Sequence, residues 1–348
     1  MDIKNLVYRK WTLRSRPNPD VVLSNFQYEE SPVQSPKKGE VLLKNHYLNL
    51  APVMRMYMMA DGGGYSTERI LNIGDVIHGR GVSEVIASEH DAYKVGDFIQ
   101  GQVGWQDYTL TAMTTKEKFL KMTPRKLPIY YGLSALGMTG YSAYCGFVAR
   151  GAPKPGETVL VSGAAGGVGS LVVQIAKAMG CSNVVGIAGG KEKCSIVKRL
   201  GADATIDYKN EGVNERLKEV MPKGIDIYFD NVGGEILDTA LGHLKKGARV
   251  VLCGAISEYA RTTPFSLKNY GLVRQKEADL RGFFVYNHAP IFQEAEATIA
   301  AWIREGKLEA LMDIEVGFEN VPQSLIGLYT GTNIGKRIVK ISKEDIIY

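Results

Sequence analysis

Three glycines at intervals of three residues form the pattern with the clearest chemical implication. Gly163, Gly166 and Gly169 follow an apolar segment, VLVS, and open a segment with helical spacing, VGSLVVQIAKAMG. At such a turn, glycines let the backbone approach a pyrophosphate, and the N–H groups of the first helical turn can bind the anion. Gly167 and Val168 lie in the same turn, and we include them among the expected contacts of a dinucleotide.

The glycine pattern has a second interpretation. Its spacing is G-x-x-G-x-x-G and not the commoner G-x-G-x-x-G, and a glycine-rich turn can also serve only to let a strand and a helix pack closely. Strands and helices alternate around the turn, however, which favours dinucleotide binding.

The end of the second strand indicates which dinucleotide is bound. About twenty residues beyond the glycine turn, NAD-specific folds usually carry an acid that binds the ribose hydroxyls. Here residues 188–190 read AGG, and Lys191 and Lys193 follow. Absence of the acid avoids repelling a ribose 2′-phosphate, and a lysine supplies its countercharge. NADP is therefore favoured over NAD, although a solvated position at a helix start also explains either lysine.

The cysteines and histidines give no metal-binding pattern. They are scattered along the chain at Cys145, Cys181, Cys194, Cys253, His46, His78, His90, His243 and His288. There is no C-x-x-C pair, and the histidine spacings do not match a zinc site. We therefore expect neither bound metal nor a disulfide framework.

Two kinds of secondary structure must position these residues. Alternating apolar positions and glycine punctuation predict short strands, and hence a partly open antiparallel β-barrel, in segments 39–50, 74–88 and 94–111. Further along, apolar strands alternate with helices, which predicts a doubly wound parallel sheet of the Rossmann type. The predicted strands are 157–163, 183–189, 204–208, 224–233 and 249–257, and the predicted helices are 132–151, 168–180, 191–201 and 291–308.

These elements define the expected domains. We assign residues 1–125 to a catalytic and substrate domain, 126–300 to a Rossmann NADP-binding domain, and 301–348 to a segment whose strand GKRIVKIS returns to the first domain. The formal net charge of +5 is dispersed, so we expect no nucleic-acid partner. No apolar run approaches the roughly 18–20 residues needed to cross a bilayer, and the first residues do not resemble a signal peptide. We expect a cytoplasmic protein without a membrane partner.

Ten ordered stretches carry a family resemblance over nearly the whole chain. They are VYRKWTLRSRP, VLLKNHYLNL, GWQDY, GMTGYSAY, SGAAGGVGS, AGGKEK, KGIDIYFDNVGG, CGAISEY, GFFVY and GTNIGK. The sequence resembles the zinc-independent medium-chain dehydrogenases/reductases, in the group of prostaglandin, alkenal double-bond and curcumin reductases. The resemblance implies a GroES-like first domain, NADPH as the cofactor, a metal-free site and a homodimer.

The resemblance also implies individual cofactor contacts. Lys193 and Tyr208, with Gly189 on the same loop, correspond to the residues that bind the 2′-phosphate. The other implied contacts of NADPH are Asn231, Cys253, Gly254, Ile256, Phe283, Val285 and Asn333.

The implied reaction is reduction of a carbon–carbon double bond conjugated to a carbonyl. Hydride is delivered to the β-carbon, charge develops on the carbonyl oxygen, and the α-carbon takes a proton. Tyr259, in CGAISEY, corresponds to the family tyrosine that donates a proton or a hydrogen bond. A phenol is neutral at pH 7 and suits that task, although a tyrosine of the pocket wall, with solvent supplying the proton, remains an alternative.

The substrate pocket departs from the family pattern. The family reads D-P-Y-M-R where this chain reads APVMR, so Ala51 and Val53 replace an acid and an aromatic residue. We predict that Val53, Met54, Arg55 and Tyr259 line an enlarged, more apolar pocket. Arg55 is equally explained as a structural ion-pairing residue, and the methionines of this region as core packing.

Two other functions remain open. A quinone reductase of the same superfamily shares the cofactor and the fold, and a non-catalytic NADPH-binding protein shares the binding motifs. Fold alone does not choose among them.

Overall fold

The computed structural model describes residues 5–62, 70–114, 117–259, 261 and 263–348. They form two compact units. The β unit comprises Met1–Leu133, Asp313–Thr332 and Arg337–Tyr348, and the α/β unit comprises Ser134–Met312 and Asn333–Lys336. Within the described residues, no helix combines the length and the apolar character needed to cross a membrane.

The β unit is built on antiparallel pairing, as the alternating sequence pattern predicts. Its first elements are β1 Val7–Leu13, β2 Phe26–Pro32, β3 Val41–Asn49, α1 Met54–Met58, β4 Arg80–Ser88, β5 Phe98–Gln102, β6 Tyr108–Thr111 and β7 Leu120–Lys121. Strand β3 lies between β4 and β6, and β5 continues the sheet to β7. Apolar side chains such as Leu43, Val85 and Ile99 point into a core that also holds Trp105.

The α/β unit alternates strands and helices. Its elements are α2 Met138–Tyr144, β8 Thr158–Ser162, α3 Gly167–Ala178, β9 Asn183–Ala188, α4 Lys191–Arg199, β10 Ala204–Asp207, α5 Val213–Val220, β11 Ile225–Asp230, α6 Gly234–Leu241, β12 Leu244–Leu252, α7 Tyr270–Gln275, β13 Asp279–Gly282 and α8 Phe292–Arg304. A π-helical segment, Cys145–Gly151, continues α2. The predicted helix 132–151 is thus shorter and less regular than expected.

The sheet of the α/β unit has the strand order of a dinucleotide-binding fold. Its order is β10-β9-β8-β11-β12-β13, and the neighbouring strands are parallel. The chain builds outward from β8 in one direction and then returns to β11, so the direction reverses between these two strands. Ligands of such sheets bind beyond the carboxyl ends of the strands at this reversal. The predicted Rossmann-type α/β fold with a separate β domain is confirmed.

Most of the last part of the chain completes the β unit, to which residues 313–332 and 337–348 belong. It contains β14 Met312–Val316, α9 Val321–Thr330 and β15 Lys336–Lys340. Strand β15 pairs antiparallel with β3, with Ile338 opposite Asn49, and β14 lies beside β15.

Candidate functional site

The glycine turn lies directly at the carboxyl end of β8. Gly163 has φ of +59°, and Gly166 precedes the first residue of α3. A Cβ on Gly169 would lie only 2.3 Å from the carbonyl oxygen of Gly163, so the close approach of α3 to the turn requires glycine there. Gly167 and Val168 form the first turn of α3, where backbone N–H groups lack partners within the helix. This cradle fits a pyrophosphate.

The segment before β15 supports the glycine turn. The Gly335 N–H donates to the Ala165 carbonyl at 2.7 Å, and the predicted cofactor residue Asn333 donates from Nδ2 to the Gly335 carbonyl at 2.9 Å. The Lys336 stem covers Gly167, since its Cδ lies 3.2 Å from the position of a Cβ there. Burial lowers the pKa of Lys336 to about 7. The structure therefore places Asn333 beside the turn, with its amide N–H group engaged in holding Gly335.

The expected 2′-phosphate residues lie at the carboxyl ends of β9 and β10. A Cβ on Gly189 would lie 2.8 Å from Tyr208 Cε1, so the tyrosine ring lies against this glycine. Lys193 is half-buried in the first turn of α4, directly after β9. Tyr208 remains 47% exposed, which leaves its ring accessible to a ligand.

Asn231 follows β11 and is held by the neighbouring strand. Its Nδ2 donates to the Ser162 carbonyl at 2.7 Å, and its backbone N–H donates to Ser162 Oγ at 2.9 Å. Ser162 Oγ in turn donates to the buried carboxylate of Asp230 at 2.8 Å, as does the Tyr228 hydroxyl at 2.6 Å. Burial and the adjacent Asp230 raise the pKa of Tyr228 well above its ordinary value.

Sequence reasoning missed Asp230 and Ser162 as site residues. Asp230 also accepts the N–H groups of Val232 and Gly233, so it fixes the turn that carries Asn231. The available signal was the acid that ends the mostly apolar strand IDIYFD, because a buried carboxylate is retained where hydrogen bonds satisfy it.

Tyr259 lies beside the residues that follow β12. Its hydroxyl oxygen accepts the Ala255 N–H at 3.4 Å and lies 3.6 Å from the position of a Cβ on Gly254. That position is 3.3 Å from the Asn231 carbonyl oxygen, so the phenol, Gly254 and the Asn231 turn are close neighbours. The predicted catalytic residue and two predicted cofactor residues therefore meet at one edge of the sheet.

The other predicted cofactor residues of this unit occupy nearby strand ends. The Cys253 N–H donates to the Asp230 carbonyl at 2.9 Å, and burial raises the pKa of the Cys253 thiol to about 12. The Ile256 N–H donates to the Asn231 carbonyl at 3.4 Å. Phe283 follows β13 and packs its ring against Gly146, and Val285 begins a 3-10 turn. The thiol is thus protonated at neutral pH, and the Phe283 side chain is used in packing.

The predicted pocket residues Val53, Met54 and Arg55 belong to the β unit, at the start of α1. Met54 is buried in the core of this unit, and Val53 packs partly against the same core. Arg55 is buried and donates from its guanidinium to the Pro19 carbonyl. Met54 and Arg55 thus contribute to the packing of α1 within the β unit, whereas Val53 is only partly buried.

The sheet order and the glycine turn at its reversal point are features of a dinucleotide-binding α/β unit. Among the described residues, no group of three or more His, Cys, Asp or Glu side chains is arranged to hold a metal ion.

Comparisons with known proteins identify the family. One family model, described as a zinc-binding dehydrogenase, matches residues 167–303, and another, the N-terminal domain of oxidoreductase, matches residues 9–119. The chain is 39% identical over 346 residues to the NADPH-dependent curcumin reductase of Escherichia coli, covering 97% of this chain and 98% of that protein. It is 38% identical over 308 residues to the NADP(+)-dependent 2-alkenal reductase of Nicotiana tabacum, covering 88% of each.

A solved structure agrees with these sequence matches. CurA from Vibrio vulnificus in complex with NADPH has a TM-score of 0.89 and 36% identity, and the match covers 97% of this chain and 100% of CurA. The chain belongs to the medium-chain dehydrogenase/reductase family, in the group that contains the curcumin and alkenal reductases. The predictions of this family and of an oxidoreductase are confirmed.

Proposed function

We propose that the protein is an NADPH-dependent reductase of α,β-unsaturated ketones or aldehydes. The observation that carries this proposal is the position of the Tyr259 phenol, beside Gly254 and the Asn231 turn at the carboxyl ends of β11 and β12. A hydrogen-bond donor is thereby held next to the expected cofactor residues. The relatives include an NADPH-dependent curcumin reductase and a 2-alkenal reductase, and their names support the same chemistry.

The residues of this chain have defined tasks in the proposed reaction. When bound, NADPH supplies the hydride that the β-carbon of the substrate accepts. The glycine turn, Gly189, Lys193 and Tyr208 bind and orient the cofactor. Tyr259 donates a hydrogen bond or a proton as negative charge develops on the carbonyl oxygen, which stabilises the enolate. The α-carbon then takes a proton from the phenol or from solvent.

The test is oxidation of NADPH, followed by absorbance, against a panel of 2-alkenals, enones, ortho-quinones and para-quinones. We expect saturable reduction of the alkenals or enones, preference for NADPH over NADH, and no effect of EDTA. Product analysis by mass spectrometry should show a saturated carbonyl and not an allylic alcohol. Turnover of quinones alone would establish a quinone reductase instead, and binding of NADPH without any turnover would identify a non-catalytic relative.

A further inference from the structure

A second lysine borders the expected 2′-phosphate position. Lys209 follows Tyr208, and a Cβ on Gly189 would lie 3.0 Å from Lys209 Cε as well as 2.8 Å from Tyr208 Cε1. The lysine stem and the tyrosine ring therefore lie over the same glycine. Lys209 is exposed, so its ammonium group is accessible to a ligand that binds there.

Hydrogen bonds hold the backbone of Lys209, which lies after β10, beside the loop that follows β9. Asp207 Oδ1 accepts the Gly190 N–H at 2.7 Å and the Lys209 N–H at 3.2 Å, which joins the loop after β9 to the loop after β10. Asn210 Nδ2 donates to Asp207 Oδ2 at 2.8 Å. The backbone of Lys209 is thus fixed relative to Gly189 and Gly190.

The same contacts leave a negative charge at the site. Hydrogen bonds from Asn210 and from the Gly190 N–H lower the pKa of Asp207, so its carboxylate is ionised at neutral pH. Glu211 also lies near, since its Oε2 accepts the Asp207 N–H, but its other oxygen pairs with Arg216 at 3.1 Å. A monoester phosphate adds a charge of about −1.5 to −2. The single positive charge of Lys193 does not balance the negative charges of this phosphate and of Asp207.

We propose that Lys209 is a second cationic ligand of the cofactor's 2′-phosphate and contributes to the preference for NADPH over NADH. This inference rests on the proposed cofactor site. Lys193 approaches from the first turn of α4 and Lys209 from the loop after β10, so the phosphate is bound between two lysines with the Tyr208 ring beside them. A lysine paired with a phosphate forms a charge-assisted hydrogen bond, which is among the stronger polar contacts.

The experiment measures nucleotide affinity by calorimetry for wild-type protein, Lys209→Met, Lys193→Met and the double variant. The probes are 2′,5′-ADP, which carries the 2′-phosphate without the nicotinamide, and NADPH and NADH. We expect Lys209→Met to weaken binding of 2′,5′-ADP and NADPH by roughly fivefold to tenfold, and to leave NADH affinity unchanged. The double variant should lose most of the preference for NADPH, and Lys209→Arg should retain it.

Lys223→Met is the matched control. Lys223 is an exposed lysine in the turn before β11, at the amino ends of the strands and therefore away from the expected cofactor site. The substitution removes the same charge as Lys209→Met, and we expect wild-type affinities for all three nucleotides. A steeper salt dependence of NADPH binding in the wild type than in Lys209→Met would further support a direct phosphate contact.

The outcomes separate this inference from the proposed function. Unchanged binding of NADPH and 2′,5′-ADP by Lys209→Met, or an equal loss of NADH affinity, would overturn the role of Lys209 while wild-type enone reduction stands. Failure of the wild-type protein to bind 2′,5′-ADP or NADPH would overturn both.

Discussion

Tyr259 is the residue whose replacement most directly tests the proposed chemistry. Tyr259→Phe keeps the ring and removes the hydroxyl that lies beside Gly254 and accepts the Ala255 N–H. If the phenol stabilises the developing oxyanion or donates the proton, kcat for enone reduction should fall about tenfold to a hundredfold. The Kd of NADPH should stay unchanged. Steady-state kinetics and fluorescence titration with NADPH measure the two quantities.

A different result would assign the proton to solvent. If Tyr259→Phe retains the wild-type kcat and changes only KM, the tyrosine is part of the pocket wall. The variant must also unfold at the wild-type denaturant midpoint, because a change there would point to lost packing instead of lost chemistry.

Lys336 makes the stability of the protein depend on pH. Burial lowers the pKa of this amine to about 7, from an ordinary value of 10.5 in the unfolded chain. Between these values the unfolded state binds more protons, so the free energy of unfolding rises with pH. From about pH 7 to about pH 8.5 the contribution is on the order of 1.5 kcal/mol. Urea unfolding across this range should show the increase in the wild type, and Lys336→Met should lack it.

The upper limit of this window is set by the cysteines. Burial raises the pKa of Cys145 and Cys181 to about 11 and that of Cys253 to about 12. Their contribution to the free energy of unfolding falls with pH, and the fall begins as thiols of the unfolded chain ionise. This fall is the same in wild type and Lys336→Met, so the difference between the two proteins isolates the contribution of the lysine. Equal pH slopes would contradict the low pKa of Lys336.

At the scale of elements, the approach of α3 to the glycine turn depends on Gly169. A Cβ there would lie 2.3 Å from the Gly163 oxygen and 2.9 Å from Ala164 Cα, and both are backbone atoms. Because the helix must shift to accept the methyl group, Gly169→Ala should lower the free energy of unfolding by about 1–3 kcal/mol. It should also weaken NADPH binding, since the shift moves the first-turn N–H groups. Denaturant unfolding and calorimetry measure these effects.

Gly271→Ala is the control for a glycine inside a helix. Gly271 lies in α7, and a Cβ there would meet no atom within 4 Å. Alanine at this position should raise stability by about 0.4–1 kcal/mol, because it reduces the freedom of the unfolded chain. Equal effects of the two substitutions would mean that helix propensity, and not the close approach to Gly163, determines the result.

The elements also show why parts of the fold were predictable from sequence. Strands β8, β9 and β11 are apolar runs that are buried on both faces, and this composition identified them. Strand β13 reads DLRG and is mostly exposed, so neither periodicity nor burial distinguishes it from a loop. The predicted strand 249–257 instead ends at Leu252, because the Cys253 and Gly254 N–H groups turn to donate to the Asp230 carbonyl.

The same limits apply to the candidate site. The glycine turn has a local pattern and was found from spacing alone. The network of Ser162 with Asp230 joins residues 68 positions apart, and the contact of Lys209 with Gly189 depends on the pairing of β10 with β9. Such relations follow from the order of the strands in the sheet, which no local sequence pattern indicates.

At the scale of the whole molecule, family resemblance implies a homodimer, and one of the two edge strands of the six-stranded sheet, β13, is a candidate interface. Strand β13 ends this sheet within the described residues, and Leu280 on it is 41% exposed, with Phe284 nearby in sequence at 43%. An open strand edge presents unpaired backbone groups that a second copy can satisfy.

We expect a particle of twice 38.2 kDa by light scattering. Leu280→Lys should shift the protein toward monomer, because the substitution places a charge where the two strand edges would meet. Val95→Lys is the control, at a side chain 65% exposed in the β unit, and should leave the mass of the particle unchanged. A wild-type monomer would refute the dimer, and a dimeric Leu280→Lys would place the interface elsewhere.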